Sequence, residues 1–200
     1  KSFKIDDLKK SFFNSLTRLR VEKVNYVFLH NPRNEIKDFK VLINFMNSLK
    51  MQNLIGDYGI SIAKGYHYKD ISEFSGVQLD CNLLYLNDLE KYYSSNQIIF
   101  ARSPLASGIL SGKLNKKTRF HKSDYRSGWL KGERLTNILS RLEIIKKNVS
   151  DISLPSLARK FLLQNQKIDH VIFGVKTPSH IEDIISDCES IKLDKYVINK

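Results

Sequence analysis

The chain has 200 residues, of which 42% are hydrophobic and 27% are charged, and its formal net charge is +12. This composition is that of a globular protein rather than a disordered chain, and no apolar run is long enough to span a membrane. Lysine outnumbers arginine by 24 to 9 and is scattered along the chain, which argues against a nucleic-acid-binding surface.

Apolar periodicity and turn residues predict the elements in chain order. They are a helix at 6–19, a strand at 24–30, a helix at 36–49, a strand at 58–62, a weak helix at 69–74, a strand at 77–84, a helix at 87–95 and a strand at 97–101; then a polar loop at 107–132, helices at 133–149 and 154–165, a strand at 171–173 and a helix at 178–188. We expect Thr177 to cap the last helix, and Asn87 or Asp88 to cap the one at 87–95.

The alternation of short apolar strands with helices predicts a parallel sheet with helical crossovers. Two architectures fit this pattern. One is a complete five-stranded doubly wound sheet, and the other is the later part of an eight-stranded βα barrel, which needs about 250 residues. The chain begins at Lys1 without a signal-peptide pattern, so we expect it to be part of a longer polypeptide.

The cysteines predict an intracellular setting. Cys81 and Cys188 are the only two, they lie in apolar contexts, and neither belongs to a CxxC pair. We therefore expect reduced, buried thiols in a cytoplasmic protein and no zinc site.

Polar and special residues gather where the predicted strands end, which is where parallel βα folds build their sites. These positions are His30, Ser61, Gln78, Arg102 to Leu105, and Gly174 to Lys176.

Several longer stretches resemble the aldo-keto reductase family, in the family's own order. They are SLTRLRVEKVNYVFLHNP (15–32), LIGDYGIS (54–61), VQLDCNLL (77–84), IIFARSPLASGILSGKL (98–114) and VIFGVKTPSHIEDI (171–184). The branch that contains bacterial short-loop reductases and potassium-channel β-subunits is the most similar. The resemblance implies a (β/α)8 TIM barrel, of which residues 1–200 supply about strands 4–8 and helices 3–8 as a single domain without its N-terminal βα units.

The resemblance also implies the chemistry, which is hydride transfer from a reduced nicotinamide cofactor to an aldehyde or ketone. The family uses an Asp, a Tyr, a Lys and a His, and His30 matches the histidine. The other three belong to the missing units, and Tyr26, Tyr58 and Lys64 lie in different contexts. We therefore expect these 200 residues alone to be inactive.

The implied cofactor contacts run through the rest of the chain. Ser61 and Gln78 match the residues that bind the nicotinamide carboxamide, and Arg102 replaces an aromatic residue that stacks on the nicotinamide in many relatives. The pyrophosphate turn and a lysine that approaches the phosphates correspond to Ser103, Pro104, Leu105, Ala106 and Lys113.

The adenosine end of the cofactor is matched less closely. Arg126, with Arg119 in reserve, is our candidate for a 2′-phosphate contact. Gly174 and Lys176 match the adenine-side phosphate segment, and Lys176 favours NADPH over NADH. His180 is a further candidate cofactor contact, although it replaces a residue that is often Arg or Gln in the family. Ile62, His180 and Ile184 depart from the family pattern.

Three functions compete. The first is an NAD(P)H-dependent carbonyl reductase, in the intact protein, acting on a small carbonyl compound. The second is a non-catalytic protein that binds cofactor or a partner on a reductase-like scaffold. The third, a basic binding module on an open sheet, conflicts with the scattered lysines.

Overall fold

The helices and strands follow the predicted order closely. A computed structural model describes residues 2–32, 39–66, 68, 70–93, 96–149 and 151–190. Within these ranges the elements are α1 (Ile5–Leu19), β1 (Val24–His30), α2 (Phe39–Met51), β2 (Ile55–Ser61), β3 (Gly76–Asp80), α3 (Asn87–Tyr92), β4 (Ile98–Arg102), α4 (Gly132–Asn148), α5 (Leu154–Leu163), β5 (His170–Ile172) and α6 (Pro178–Glu189).

Three of the predicted elements differ from those observed. Strand β2 begins at Ile55 rather than at 58. Strand β3 ends at Asp80 rather than at 84, because the Asn82 side chain accepts a hydrogen bond from the Leu84 amide at 3.1 Å and turns the chain. The weak helix at 69–74 is wrong over its described part. There, Asp70 accepts a bond from the Ser72 amide at 2.9 Å and forms a turn. Residues 36–38, 69, 94 and 95 of the predicted helices lie outside the described residues.

The predicted helix caps are also only partly observed. Thr177 does precede α6, but its hydroxyl pairs with the Ser179 hydroxyl at 2.9 Å instead of capping the helix. Helix α3 includes Asn87 and Asp88 and follows Leu86, which supplies no side-chain cap. The predicted loop contains two 3₁₀ segments, Ala106–Ser111 and Tyr125–Gly128.

The sheet order distinguishes the two predicted architectures. The five strands follow one another in the order β1-β2-β3-β4-β5, and β1 to β4 pair in parallel. A doubly wound sheet reverses its strand order at a switch point, whereas the strands of a βα barrel are added one after another. The sequential order is that of part of a barrel.

The chain divides into two compact units. The first comprises Lys1–Asp80, Tyr85–Arg102 and Lys167–His170, and the second comprises Cys81–Leu84, Ser103–Gln166 and Val171–Lys200. The prediction of one domain over residues 1–200 stays a prediction.

The first unit buries one face of its strands under helices. Ile60 of β2 and Leu79 of β3 are fully buried, and Leu42 and Met46 of α2 are only 2% exposed. The opposite face carries an aromatic cluster, whose neighbouring rings lie 4.7 to 4.9 Å apart between centroids. Its members are Tyr26, Phe28, Phe100 and His170. Side chains alternate between the two faces along a strand. Every second residue that follows a member of this cluster in its strand therefore lies on the same face as the cluster.

The second unit packs α4 and α5 around a leucine-rich core that includes Leu110, Leu130 and Leu157. Helix α5 begins where Ser153 accepts a hydrogen bond from the Ser156 amide, with Pro155 in the first turn. Cys81 is buried as predicted, but Cys188, which lies in α6, is exposed, so the prediction of a buried thiol is wrong there.

Candidate functional site

The C-terminal ends of the first unit's strands bring predicted site residues into register. His30 is opposite Ser61, and Ser61 is opposite Gln78. The Ser61 hydroxyl is completely buried and donates to Gln78 Oε1 at 2.7 Å. The two residues expected to hold the nicotinamide carboxamide therefore contact each other, and Gln78 keeps its amide nitrogen for a further acceptor.

Arg102 is the last residue of β4 and lies on the same face of the sheet as Gln78. Its guanidinium forms an ion pair with a residue that the sequence analysis did not identify. Asp80 lies opposite Arg102 in the sheet and contacts its guanidinium at 2.9 and 3.0 Å. Arg102 Nη2 also donates to the Ile62 carbonyl at 3.2 Å, while its buried Nε has no hydrogen-bond partner in the described structure. The contacts with Asp80 thus fix the orientation of the guanidinium, and its buried Nε–H donor stays unsatisfied.

A cavity of about 850 Å³ lies within the second unit. It is lined by many of the residues predicted to hold the cofactor phosphates: Ser103, Pro104, Leu105, Lys113, Arg126, Gly174, Lys176 and His180. Ala106 is not among its lining residues and packs against the unit's leucine core. Arg119, the reserve candidate, also lies outside the lining and bonds the carbonyls of Lys116 and Thr118.

The turn on one side of the cavity has an unusual backbone. Ser103, Ala106 and Ser107 have φ values of 62°, 47° and 60°, in the left-handed region that non-glycine residues seldom adopt. Such conformations persist where the surrounding structure imposes them, and they concentrate at ligand sites. Gly108 follows with φ of 88°, and a Cβ there would lie 3.2 Å from Arg126 Nη1. Glycine therefore lets the Arg126 guanidinium approach the turn.

Arg126 itself is tightly held. Its Nε and Nη2 contact the Asp124 carboxylate at 2.6 to 3.2 Å, and Nη1 donates to the Ser107 carbonyl at 3.2 Å. Hydrogen bonding by Arg126 lowers the pKa of Asp124 to about 2, and the same bond raises the pKa of Arg126. Asp124 was missed from the sequence, although its spacing of two residues from Arg126 is a visible signal.

The remaining cavity residues set its charge. Lys113, Arg126 and Lys176 are cationic, and Asp124 and Asp183 are anionic. Arg159 also reaches the lining, but its charge is balanced by Asp187 at 2.5 Å. Lys113 and Lys176, together with Arg126 in its pair with Asp124, lie beside a strained turn and suit the phosphates of a dinucleotide. The residues present therefore fit the anionic part of the predicted cofactor.

The described residues also bear on two other classes of site. Among them, no group of three or more His, Cys, Asp or Glu is placed to hold a metal ion. No helix in the described ranges has both the length and the apolarity to cross a bilayer.

The sheet order is that of part of a βα barrel, and comparisons with known proteins agree. The family model described as "Aldo/keto reductase family" matches residues 1–200. The chain belongs to the aldo/keto reductase family, as its motifs predicted. Members of this family bind nicotinamide cofactors. Comparison with curated protein sequences gives no match.

Solved structures show the same fold. The glycerol dehydrogenase AKR11B4 from Gluconobacter oxydans is 19% identical with a TM-score of 0.74, over 96% of this chain and 64% of that protein. The holo form of the aldo-keto reductase AKR11C1 from Bacillus halodurans is 17% identical with a TM-score of 0.75, over 97% of this chain and 63% of that protein. The predicted fold class, part of a (β/α)8 barrel, is confirmed. The chain spans less than two thirds of either protein's length.

Proposed function

We propose that the intact protein is an NADPH-dependent oxidoreductase that reduces an aldehyde or ketone to an alcohol, and that this chain holds most of the cofactor. The observation that carries the proposal is the cavity of the second unit, in which Lys113, Arg126 and Lys176 meet the strained Ser103–Ser107 turn. When bound, the reduced nicotinamide supplies the hydride.

Each unit contains residues with a proposed role. The cations of the cavity neutralise phosphate charge, and the turn orients the pyrophosphate through its main chain. In the first unit, the Ser61–Gln78 pair presents the Gln78 amide to the carboxamide, and Arg102 lies beside it, fixed by Asp80. His30, exposed at the end of β1, would help to orient the substrate carbonyl. The proton donor of the reaction would come from the part of the protein outside these 200 residues.

Cofactor binding tests the proposal directly. NADPH and NADH are titrated against the intact protein, with the cofactor's own fluorescence as the readout. We expect Lys113→Ala and Lys176→Ala each to weaken NADPH binding about tenfold, the effect of losing one charge-assisted contact. Lys147→Ala in α4, outside the cavity lining, is the matched control and should leave the affinity unchanged. If neither cofactor binds the intact protein, the proposal is wrong.

Turnover separates catalysis from simple binding. The intact protein is supplied with NADPH and a panel of aldehydes and ketones, and the loss of NADPH absorbance is followed. Reduction of any of them supports the reductase. Binding without turnover of any carbonyl compound favours the second candidate, a non-catalytic cofactor-binding protein. The departures from the family pattern at Ile62 and Ile184 favour that candidate.

A further inference from the structure

Asp124 lines the cavity together with its cationic residues Arg126 and Lys176. All three guanidinium nitrogens of Arg126 are engaged, two by Asp124 and the third by the Ser107 carbonyl. The Phe120 ring covers one face of the guanidinium at 4.3 Å. These contacts leave one N–H on Nη1 and one on Nη2, so an additional anion would either share the guanidinium with Asp124 or displace it.

A second cation also acts on the same carboxylate. The positive charge of Lys176 helps to lower the pKa of Asp124, although the Arg126 hydrogen bond has the larger effect. Both cations line the cavity together with Asp124. The carboxylate thus receives the field of the two positive groups that a phosphate ester would use, and with a pKa of about 2 it stays ionised throughout the neutral range.

Local backbone contacts fix this arrangement. The Asp124 carboxylate accepts a hydrogen bond from the Arg126 amide at 2.9 Å, which starts the 3₁₀ turn Tyr125–Gly128. The absence of a side chain at Gly108 leaves room for Nη1 on the other side. The ion pair is therefore part of the folded loop rather than a chance meeting of two long side chains.

We infer that Asp124 is a specificity-determining residue, whose carboxylate competes with the adenosine 2′-phosphate for Arg126 and Lys176 and so limits the preference for NADPH over NADH. This inference rests on the proposed function, since it concerns the same cavity. A phosphate dianion near a fixed carboxylate is repelled, whereas a ribose hydroxyl carries no charge to repel. Removing the carboxylate should therefore favour NADPH selectively.

The test is the ratio of the two dissociation constants, measured by cofactor fluorescence on the intact protein. Asp124→Asn keeps an oxygen that can accept the Arg126 amide bond and removes the charge. We expect it to raise the NADPH preference, Kd(NADH)/Kd(NADPH), about tenfold, as two charges repelling one at roughly 6 Å in water would give. Asp124→Ser is a second uncharged variant that retains an acceptor for the turn, in case the first folds poorly.

Asp183→Asn is the matched control, because Asp183 also lines the cavity but is not among the hydrogen-bond partners of Arg126. An equal rise of the Kd(NADH)/Kd(NADPH) ratio in that variant would show that any loss of negative charge in the cavity has the same effect. That result would overturn the inference. An unchanged ratio in both folded Asp124 variants would overturn it too. So would weaker NADPH binding, which would mean that Asp124 helps Arg126 to bind phosphate. Failure of the wild-type protein to bind either cofactor would instead refute the proposed function.

Discussion

The Tyr26 side chain uses space that glycine leaves open on the neighbouring strands. Its hydroxyl bonds the Ser75 hydroxyl at 2.8 Å and the Tyr58 carbonyl at 3.2 Å. A Cβ added at Gly76 would lie 2.4 Å from that hydroxyl and 3.0 Å from the Ile98 carbonyl. We expect Gly76→Ala to lower the free energy of unfolding by about 1–3 kcal/mol, as overpacking does, measured by urea denaturation.

A matched control and a double mutant give this prediction its specificity. Gly128→Ala meets no atom within 4 Å and should change stability little. In a Tyr26→Phe background, which lacks the hydroxyl, Gly76→Ala should cost about 1 kcal/mol less, because the two sites are in contact. Equal costs in both backgrounds would show that the hydroxyl is not the obstacle.

Single residues were predicted from the sequence better than their partners were. The polar positions at strand ends, such as His30 and Gln78, follow from the register of a parallel sheet. The roles of Asp80 and Asp124 could not be predicted, because neither the sequence pattern nor the family resemblance says which carboxylate pairs with Arg102 or with Arg126. Their pairing depends on strand register in one case and on a tight turn in the other.

At the scale of elements, a buried ion pair joins α5 to α6. Arg159 and Asp187 are 10% and 8% exposed, and Nε lies 2.5 Å from the carboxylate. The Ser156 hydroxyl donates to the same carboxylate. Asp187→Ala would leave the arginine buried without a counter-charge, so we expect a loss of about 3–5 kcal/mol in the free energy of unfolding.

The exposed pair within α4 is the control for this prediction. Glu143 and Lys146 are 62% and 44% exposed, and Glu143→Ala should cost less than about 0.5 kcal/mol. Urea denaturation of both variants compares the two directly. A loss at Asp187 as small as that at Glu143 would contradict the view that this pair holds the two helices together.

Element types followed from periodicity, whereas several element ends did not. The long amphipathic helices α1, α4 and α6 begin and end within a residue or so of their predicted positions, since an apolar stripe of several turns is a strong signal. The errors at 69–74 and after Asp80 arise where a short polar side chain bonds a nearby amide. That local competition has no periodicity to reveal it.

For the whole molecule, the sequence left two architectures open, because strand and helix patterns do not contain strand order. The observed order has β1 at one end of the sheet, where it pairs with β2 alone among the described strands. Beside β1 lies an apolar groove of about 640 Å³, lined in part by Leu8, Phe12 and Val27. An apolar edge strand of seven residues is a template for association with another chain.

We therefore expect the 200-residue chain to self-associate as its concentration rises, and Val27→Lys to reduce this by placing a charge on the edge strand. Met51→Lys, at the 88% exposed end of α2, makes the same kind of change outside strand β1 and should leave association unaltered. Light scattering over a concentration series measures the effect, with circular dichroism to show that each variant is folded. Equal behaviour of the two variants would mean that net charge, rather than the β1 edge, controls association.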